Sequence, residues 1–382
     1  MTRHSRLTLS LATAAAVLAP GLLAPAVSQA TPTTDASVQK GLQQLVAARG
    51  GPPGAVATLY RSGHLTVLRA GRANVKTLGA PTATQHMRIA SIAKAFSAAI
   101  ALHLVQEGRL SLDDTIGQWL PSLPKTWASV TIRELLNHTS GIPDYTKSEA
   151  FAKQARSDPQ GYVTPNEIID WVRKARLAFT PGSRYEYSNT DNIVVGLIAQ
   201  SVTHMPYPAL VRSIVFQPAG LTQTTFPTRR IPLPAPFIHG YVVEPGEAPA
   251  DVTNFLSPSG AWASGAIVST PKDLGTFIRA DLGQKFFGAA EQQQQMQFVP
   301  GSSSPAGPGV NYAGLGLFRY RTRCGTVYGH TGNFPGYTQF AAATADGSRS
   351  VTTTLNIPAP TGKLLMQLRA VQASAVCALL SR

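Results

Sequence analysis

Ser91 and Lys94 stand three residues apart in Arg88-Ile-Ala-Ser-Ile-Ala-Lys94, a run that continues as an apolar stretch ending near Gln106. On a helix this spacing puts a hydroxyl and an amine on one face, one turn from each other. A hydroxyl held beside an uncharged amine is an acylating nucleophile. A free lysine titrates near pH 10.4, so neutralising it at pH 7 costs roughly 4–5 kcal/mol. Burial supplies a shift of that kind. The residues after Lys94, from Ala95 and Phe96 through Leu104 and Val105, are apolar nearly all round, the pattern of a helix inside a core. Spacing alone is weak evidence, because Ser-x-x-Lys occurs four times, at Ser37, Ser91, Ser122 and Ser269. Ser37 follows the leader and Ser122 lies in a Pro-rich turn. Ser269 precedes a helix start, with Thr270 as N-cap and Pro271 at the first position. Only Ser91 opens a buried helix.

Two further patterns carry groups that would complete such a centre. Tyr187-Ser-Asn189 follows the turn Pro181-Gly-Ser-Arg-Tyr-Glu186 and precedes the apolar run Ile193 to Ile198. A tyrosine beside a lysine relays a proton, and Asn189 offers a donor and an acceptor to a substrate amide. The plainer reading is a tyrosine at a helix entry with an asparagine cap. His330-Thr331-Gly332 lies between strand-like runs at 326–328 and 336–342. Gly332 lets a substrate approach the backbone closely, and His330 could be positive or neutral near neutral pH, since a free imidazole titrates there. The N–H groups of Asn333 and Ser91 would form a two-donor oxyanion hole, worth roughly 3–4 kcal/mol per donor. The plainer reading of this pattern is a turn histidine.

These groups need elements to hold them. Residues 1–30 have a basic start (Arg3, His4, Arg6), an apolar run from Leu7 to Ala19 and small residues at Ser28-Gln-Ala30, the pattern of a secretory signal peptide. The mature chain is expected as one domain over 31–382, with no later stretch long and apolar enough to anchor it in a membrane. Ala55–Tyr60 and Leu65–Leu68 flank Ser62-Gly63 as a hairpin. Capping boxes open helices at Thr131-Ile-Arg-Glu134 and Thr164-Pro-Asn-Glu167, and Thr270 to Leu282 is a third helix. Strand composition returns at 314–320, 326–328, 336–342 and 350–355, and a last helix carries Leu364, Leu368, Val371, Ala375 and Leu379 on one face. Gln292–Gln295 and Ser302–Ser304 read as surface loop. The expected class is α+β: an antiparallel sheet made by both ends of the chain with flanking helices (about 50–90 and 265–382) and an inserted, mainly helical subdomain (about 91–260).

Composition narrows the partners. The formal charge of +14 becomes +12 when Arg3 and Arg6 leave with the leader. A basic exported protein is drawn to anionic surfaces such as a cell wall or membrane; a generally basic surface with no specific partner is the alternative. There is no Lys/Arg run longer than Arg229-Arg230 and no zinc-finger spacing, which argues against nucleic acid. No histidine pair has metal-ligand spacing, no cofactor is called for, and the absence of Gly-x-Ser-x-Gly argues against an α/β-hydrolase. The two cysteines, Cys324 and Cys377, form one disulfide in an oxidising compartment; two buried free thiols are the alternative.

Ser-x-x-Lys, Tyr-x-Asn and His-Thr-Gly in that order resemble the serine β-lactamase and penicillin-binding superfamily, in particular exported DD-carboxypeptidases and class C-like hydrolases. Leu135-Leu-Asn-His-Thr-Ser-Gly-Ile-Pro143, Phe216-Gln-Pro-Ala-Gly-Leu221, Ala261-Trp-Ala-Ser-Gly-Ala266 and Gly329-His-Thr-Gly-Asn-Phe-Pro-Gly336 look like landmarks of the same superfamily. The resemblance implies that Ser91 is acylated, Lys94 is its base, Tyr187 relays the proton and His330 stands where relatives carry Lys or His. Asn189, Thr331, Gly332 and Asn333 would contact substrate, and Trp262 would line the cleft. Some exported DD-peptidases have Thr at the position of Asn333, where it helps bind a carboxylate; Arg319 is the candidate cation for that carboxylate here. The implied activity is a secreted, monomeric D-alanyl-D-alanine carboxypeptidase acting on cell-wall peptides, with β-lactams as candidate ligands. An esterase, a class C-like β-lactamase and a non-catalytic wall-binding module on the same fold are the alternatives.

Overall fold

The antiparallel sheet expected from the two ends of the chain is present. The computed structural model describes residues 34–381 apart from Arg230, Ile231 and Pro245; the expected leader at 1–30 lies outside the described residues. The sheet has eight strands: β1 (Gly54–Arg61), β2 (His64–Gly71), β3 (Val299–Pro300), β4 (Val310–Ala313), β5 (Phe318–Thr322), β6 (Gly325–Phe334), β7 (Tyr337–Ala343) and β8 (Ser350–Leu355). Their order is β2-β1-β8-β7-β6-β5-β4-β3. The two ends of the chain meet where β1 pairs with β8, Ala55 opposite Leu355. At the β2 edge the Gln39 side chain bonds both the N–H and the carbonyl of Arg69, so part of that edge is capped.

β7 and β8 are buried along their whole length, so helices cover both faces of the sheet. On one face lie α1 (Asp35–Ala47) and the last long helix, Gly362–Leu380. Val38, Leu42 and Leu45 pack there with Leu368, Val371, Ala375 and Leu379, against Phe340 and Ala342 of β7. The other residues of β7, Tyr337, Ala341 and Ala343, face the opposite layer, as a two-residue period requires. That layer holds α2 (Ala93–Gln106), α3 (Asn189–Thr203) and α4 (Pro271–Leu282); the long C-terminal helix is α5. α2 is buried nearly all round, with Phe96 stacked on Phe277 of α4 at 3.5 Å.

Local signals succeeded where the chemistry is short-range. Thr131, Thr164 and Thr270 each cap a helix as expected. Four expectations are corrected. His330-Thr331-Gly332 lies inside β6, not in a turn between strands; Gly329 and Gly332 depress the strand signal there. The run at 314–320 becomes strand only from Phe318, because Gly316 turns at φ +68 where a Cβ would sit 2.2 Å from that of Ala98. Gln292–Gln295 is the end of a short helix rather than a surface loop, with Gln295 bonded to buried Asp281. Finally, α5 does have the length and apolar composition of a membrane span; its apolar side is spent on the sheet.

Candidate active site

Ser91 sits in a single turn of 3-10 helix, Ala90–Ile92, that leads directly into α2. Ala90 takes φ +51, an uncommon conformation for a residue with a side chain. β6 presses against this turn: a Cβ on Gly332 would lie 2.4 Å from the Ile89 carbonyl oxygen. Gly332 is therefore needed for strand packing on the Ser91 turn.

Lys94 is fully buried, and burial holds its amine down at about 7 against the opposing pull of Asp144 and Asp191. The displacement corresponds to roughly 5 kcal/mol. Nζ has three neighbours: Ser91 Oγ at 3.0 Å, Asn189 Oδ1 at 2.7 Å and the Ser264 carbonyl at 2.9 Å. The amide orientation of Asn189 is fixed, because its Nδ2 donates to both oxygens of Asp144 at 3.2 and 3.0 Å. Asn189 Oδ1 and the Ser264 carbonyl only accept, so they occupy both N–H groups of a neutral amine. The lone pair is left for the Ser91 hydroxyl, which donates to it. That is the arrangement of a nucleophile with its general base.

Tyr187 lies half-buried beside them with its hydroxyl oxygen covered, its ring centroid 5.0 Å from Lys94 Nζ. Burial pushes its phenol well above the ordinary value, while Ser91's hydroxyl pulls it back. It is a phenol, not a phenolate, and its hydroxyl completes no hydrogen bond of ordinary geometry within the protein. His330 packs at 6.4 Å from the Tyr187 ring. Burial lowers its imidazole to about 3, so it is neutral. Its Nδ1–H donates to the Thr331 carbonyl, and Nε2 is buried without a partner.

The cleft over Ser91 is a cavity of about 520 Å³. Tyr187, Asn189 and Asn333 line it as expected. Gly332 does not, and neither do three other expected contacts. Trp262 is not among the cleft residues; it packs inward against Tyr207 at 5.0 Å, and its neighbours Ala261, Ser264 and Gly265 take the wall. Arg319 lies between the rings of Phe298 and Tyr312, at 4.7 and 4.3 Å, away from the cleft. Thr331 pairs opposite Phe340, in the layer of α1 and α5, and donates to the Pro305 carbonyl at 2.6 Å. Asn333 turns its Oδ1 to the Ala359 N–H at 2.8 Å. Among the described residues there is no cluster able to hold a metal ion.

One cleft residue escaped the sequence reading. Asp144 follows the Leu135–Pro143 landmark directly, accepts from the N–H and hydroxyl of Thr146, and holds Asn189. Its short-range signal was an Asx turn, Asp144-Tyr-Thr146. Beneath it, His138 Nδ1 meets Asp191 Oδ2 at 2.8 Å, and Ser140 donates to Asp191 Oδ1. Burial drives both partners of that pair toward their neutral forms. The His138 ring lies 4.5 Å from that of Tyr187 and supports it.

Comparison with known proteins agrees with this geometry. The sequence model of the family Beta-lactamase matches residues 38–375. Penicillin-binding protein 4* of Bacillus subtilis (strain 168) is 28% identical over 265 residues, covering 65% of this chain and 56% of that protein. The chain spans about half the length of the first curated relatives it matches. A structure of a D-stereospecific amidohydrolase from Streptomyces sp. superposes with TM-score 0.77 at 30% identity, covering 87% of this chain and 98% of that one. A D-amino acid amidase from Ochrobactrum anthropi SV3, solved with L-phenylalanine amide, gives TM-score 0.76 at 29% identity over 90% and 96% of the two chains. The chain belongs to the β-lactamase and penicillin-binding-protein superfamily of serine hydrolases.

Proposed function

We propose that the protein hydrolyses amides or esters of small D-amino acids that carry a free ammonium group, through an acyl-enzyme on Ser91. Lys94 takes the Ser91 proton as oxygen attacks the carbonyl. Tyr187, a neutral phenol against that oxygen, passes its proton to the departing amine or alcohol and regains one from Lys94, which returns to its neutral form. The N–H groups of Ser91 and Asn333 are the oxyanion donors. Water, deprotonated over the same path, releases the acid. Asn189 holds Lys94 rather than reading the substrate, since both ends of its amide are engaged.

The observation that carries the substrate class is the charge of the cleft. Its charged residues are Asp144, Lys147 and Glu186, and the last two pair with each other at 3.7 Å. Asp144 receives its hydrogen bonds from neutral groups of Asn189 and Thr146. A carboxylate facing the cleft with neutral donors favours a cationic ligand. The D-alanyl-D-alanine carboxypeptidase reading and the β-lactamase reading both need a cation for a substrate carboxylate. His330 is neutral and Arg319 is elsewhere, so those readings have less support. The D-configuration rests on the Streptomyces and Ochrobactrum proteins, which are similar over nearly the whole domain. The leader pattern at 1–30 and the Cys324–Cys377 disulfide support action outside the cytoplasm.

The test compares D-phenylalaninamide, its N-acetyl derivative, a peptide ending in D-Ala-D-Ala and benzylpenicillin, with intact-mass detection of Ser91 adducts and a Ser91→Ala control. The expected result is turnover of the free amine and at least a tenfold rise in KM on acetylation. Preference for the D-Ala-D-Ala peptide would restore the carboxypeptidase, rapid penicillin turnover the lactamase, and no adduct with any compound the binding module.

A further inference from the structure

The cavity over Ser91 does not stop at the end of β6. Beyond a ridge made by Asn333, Phe334 and Pro335 lies a second basin of about 430 Å³, walled by Val242, Val252, Phe255 and Pro358. The three ridge residues line both spaces. The opposite bank is shared in the same way: Phe255 belongs to the basin and its neighbour Leu256 to the cleft. Every wall of the basin except Asn333 is apolar, and the side-chain oxygen of Asn333 is taken by Ala359.

The basin is built in advance. Asp251 Oδ1 accepts from the N–H and hydroxyl of Thr253, at 3.0 and 2.6 Å. The Gly240 N–H donates to Thr253 Oγ1 at 2.9 Å, and the Phe255 N–H to the Val252 carbonyl at 3.0 Å. Gly240 also packs on Gly336, where an added Cβ would lie 2.7 Å from the Gly240 Cα. This knot holds Phe255 with 47% of its surface in solvent. A large apolar side chain kept exposed by a hydrogen-bonded frame, at the rim of a catalytic cleft, marks a binding surface.

We propose that this basin is a specificity subsite for an aromatic or branched aliphatic group of the substrate, reached across the Asn333–Pro335 ridge from the reacting carbonyl. The inference rests on the hydrolytic reading of the cleft. The apolar group is either the acyl side chain or the leaving group; the chemistry recognised is the same.

Three D-amino acid esters separate these sources: D-alanine methyl ester as reference, D-phenylalanine methyl ester with the apolar group on the acyl side, and D-alanine benzyl ester with it on the leaving side. Wild type is compared with Phe255→Ala and, as a second surface variant, Val252→Lys. The expected result is a rise in KM of about tenfold for one aromatic ester in both variants. KM for D-alanine methyl ester and the kcat values stay within twofold. The ester that responds identifies the side of the substrate that enters. Equal behaviour of all three esters in both variants, with Ser91 still acylated by mass, overturns the subsite and leaves the hydrolytic reading intact. Absence of a Ser91 acyl adduct with every ester overturns both.

Discussion

The chemistry turns on which hydrogen bonds Lys94 has already committed. With Asn189 and Ser264 taking its N–H groups, the neutral amine has one role left, that of base to Ser91. Its activity must therefore follow deprotonation: kcat/KM is expected to rise with pH through about 7 and level off above it, read from a pH–rate profile on an ester. Lys94→Arg, which cannot lose its proton, is expected to lower kcat by roughly 10³-fold and to abolish that rise. Tyr187→Phe removes the relay and keeps the ring against His138; kcat is expected to fall roughly 10²-fold with KM little changed. Asp144→Asn keeps an acceptor for Asn189 but removes the charge. KM for D-phenylalaninamide is expected to rise about tenfold, while N-acetyl-D-phenylalaninamide is unaffected. Ser91, Lys94, Tyr187 and Asn189 were legible as neighbours because their types and spacings are informative without the fold, but the part played by Asn189 was not, since its amide is engaged by Lys94 and Asp144. Asp144 was not, since an aspartate at an Asx turn is common and its exposure to the cleft is a tertiary fact. Trp262, Arg319 and Thr331 were misplaced for the converse reason: being near a motif does not fix which way a side chain points.

At the scale of elements, β6 and the Ser91 turn form one contact. Gly332→Ala puts a methyl 2.4 Å from the Ile89 carbonyl, a backbone atom that cannot yield without moving Ser91. Ser91 acylation in this variant is expected to slow by roughly 10²-fold, the cost of a displacement of about 1 Å at a reacting group. Measured against a change of less than twofold in Gly79→Ala, a position outside the cleft where an added Cβ meets nothing within 4 Å, this isolates the packing effect. A second element contact reports through pH. Asp281 at the end of α4 is fully buried, bonded to Gln295, and burial raises its carboxyl to about 7. The folded state therefore holds a proton that the unfolded state releases near pH 4. The stabilisation is complete below that value and is lost as pH rises through about 7. Asp281→Asn is expected to remove this decline, seen as a flatter Tm against pH between 4 and 7. Capped helices were readable because each cap is a local bond. β6 was not, because two glycines that serve packing and close strand approach also erase its propensity.

For the whole molecule, the strand-rich ends and helical middle of the sequence were enough to infer a sheet closed by the two termini. Which helix would cover which face was not legible, because α2 and α5 are both apolar and only their neighbours distinguish them. α5 is held to the sheet by Leu368, Val371, Ala375 and Leu379 and by the disulfide from Cys377 to Cys324 at the β5–β6 turn. That bond closes a loop of 53 residues containing β6, β7 and β8, three adjacent strands of the sheet. Restricting such a loop in the unfolded chain is worth about 4 kcal/mol in the chain-entropy account. Spread over a domain of this size, that corresponds to a fall in Tm of about 5 °C when the bond is removed. The Cys324→Ser, Cys377→Ser double variant is expected to show this fall in calorimetry, and the wild type to show it with reductant present. Its kcat should be unchanged, since the bond lies on the α1–α5 side of the sheet and Ser91 on the other. An unchanged Tm would mean that apolar packing alone fixes α5, and that the covalent link adds nothing to the folded state.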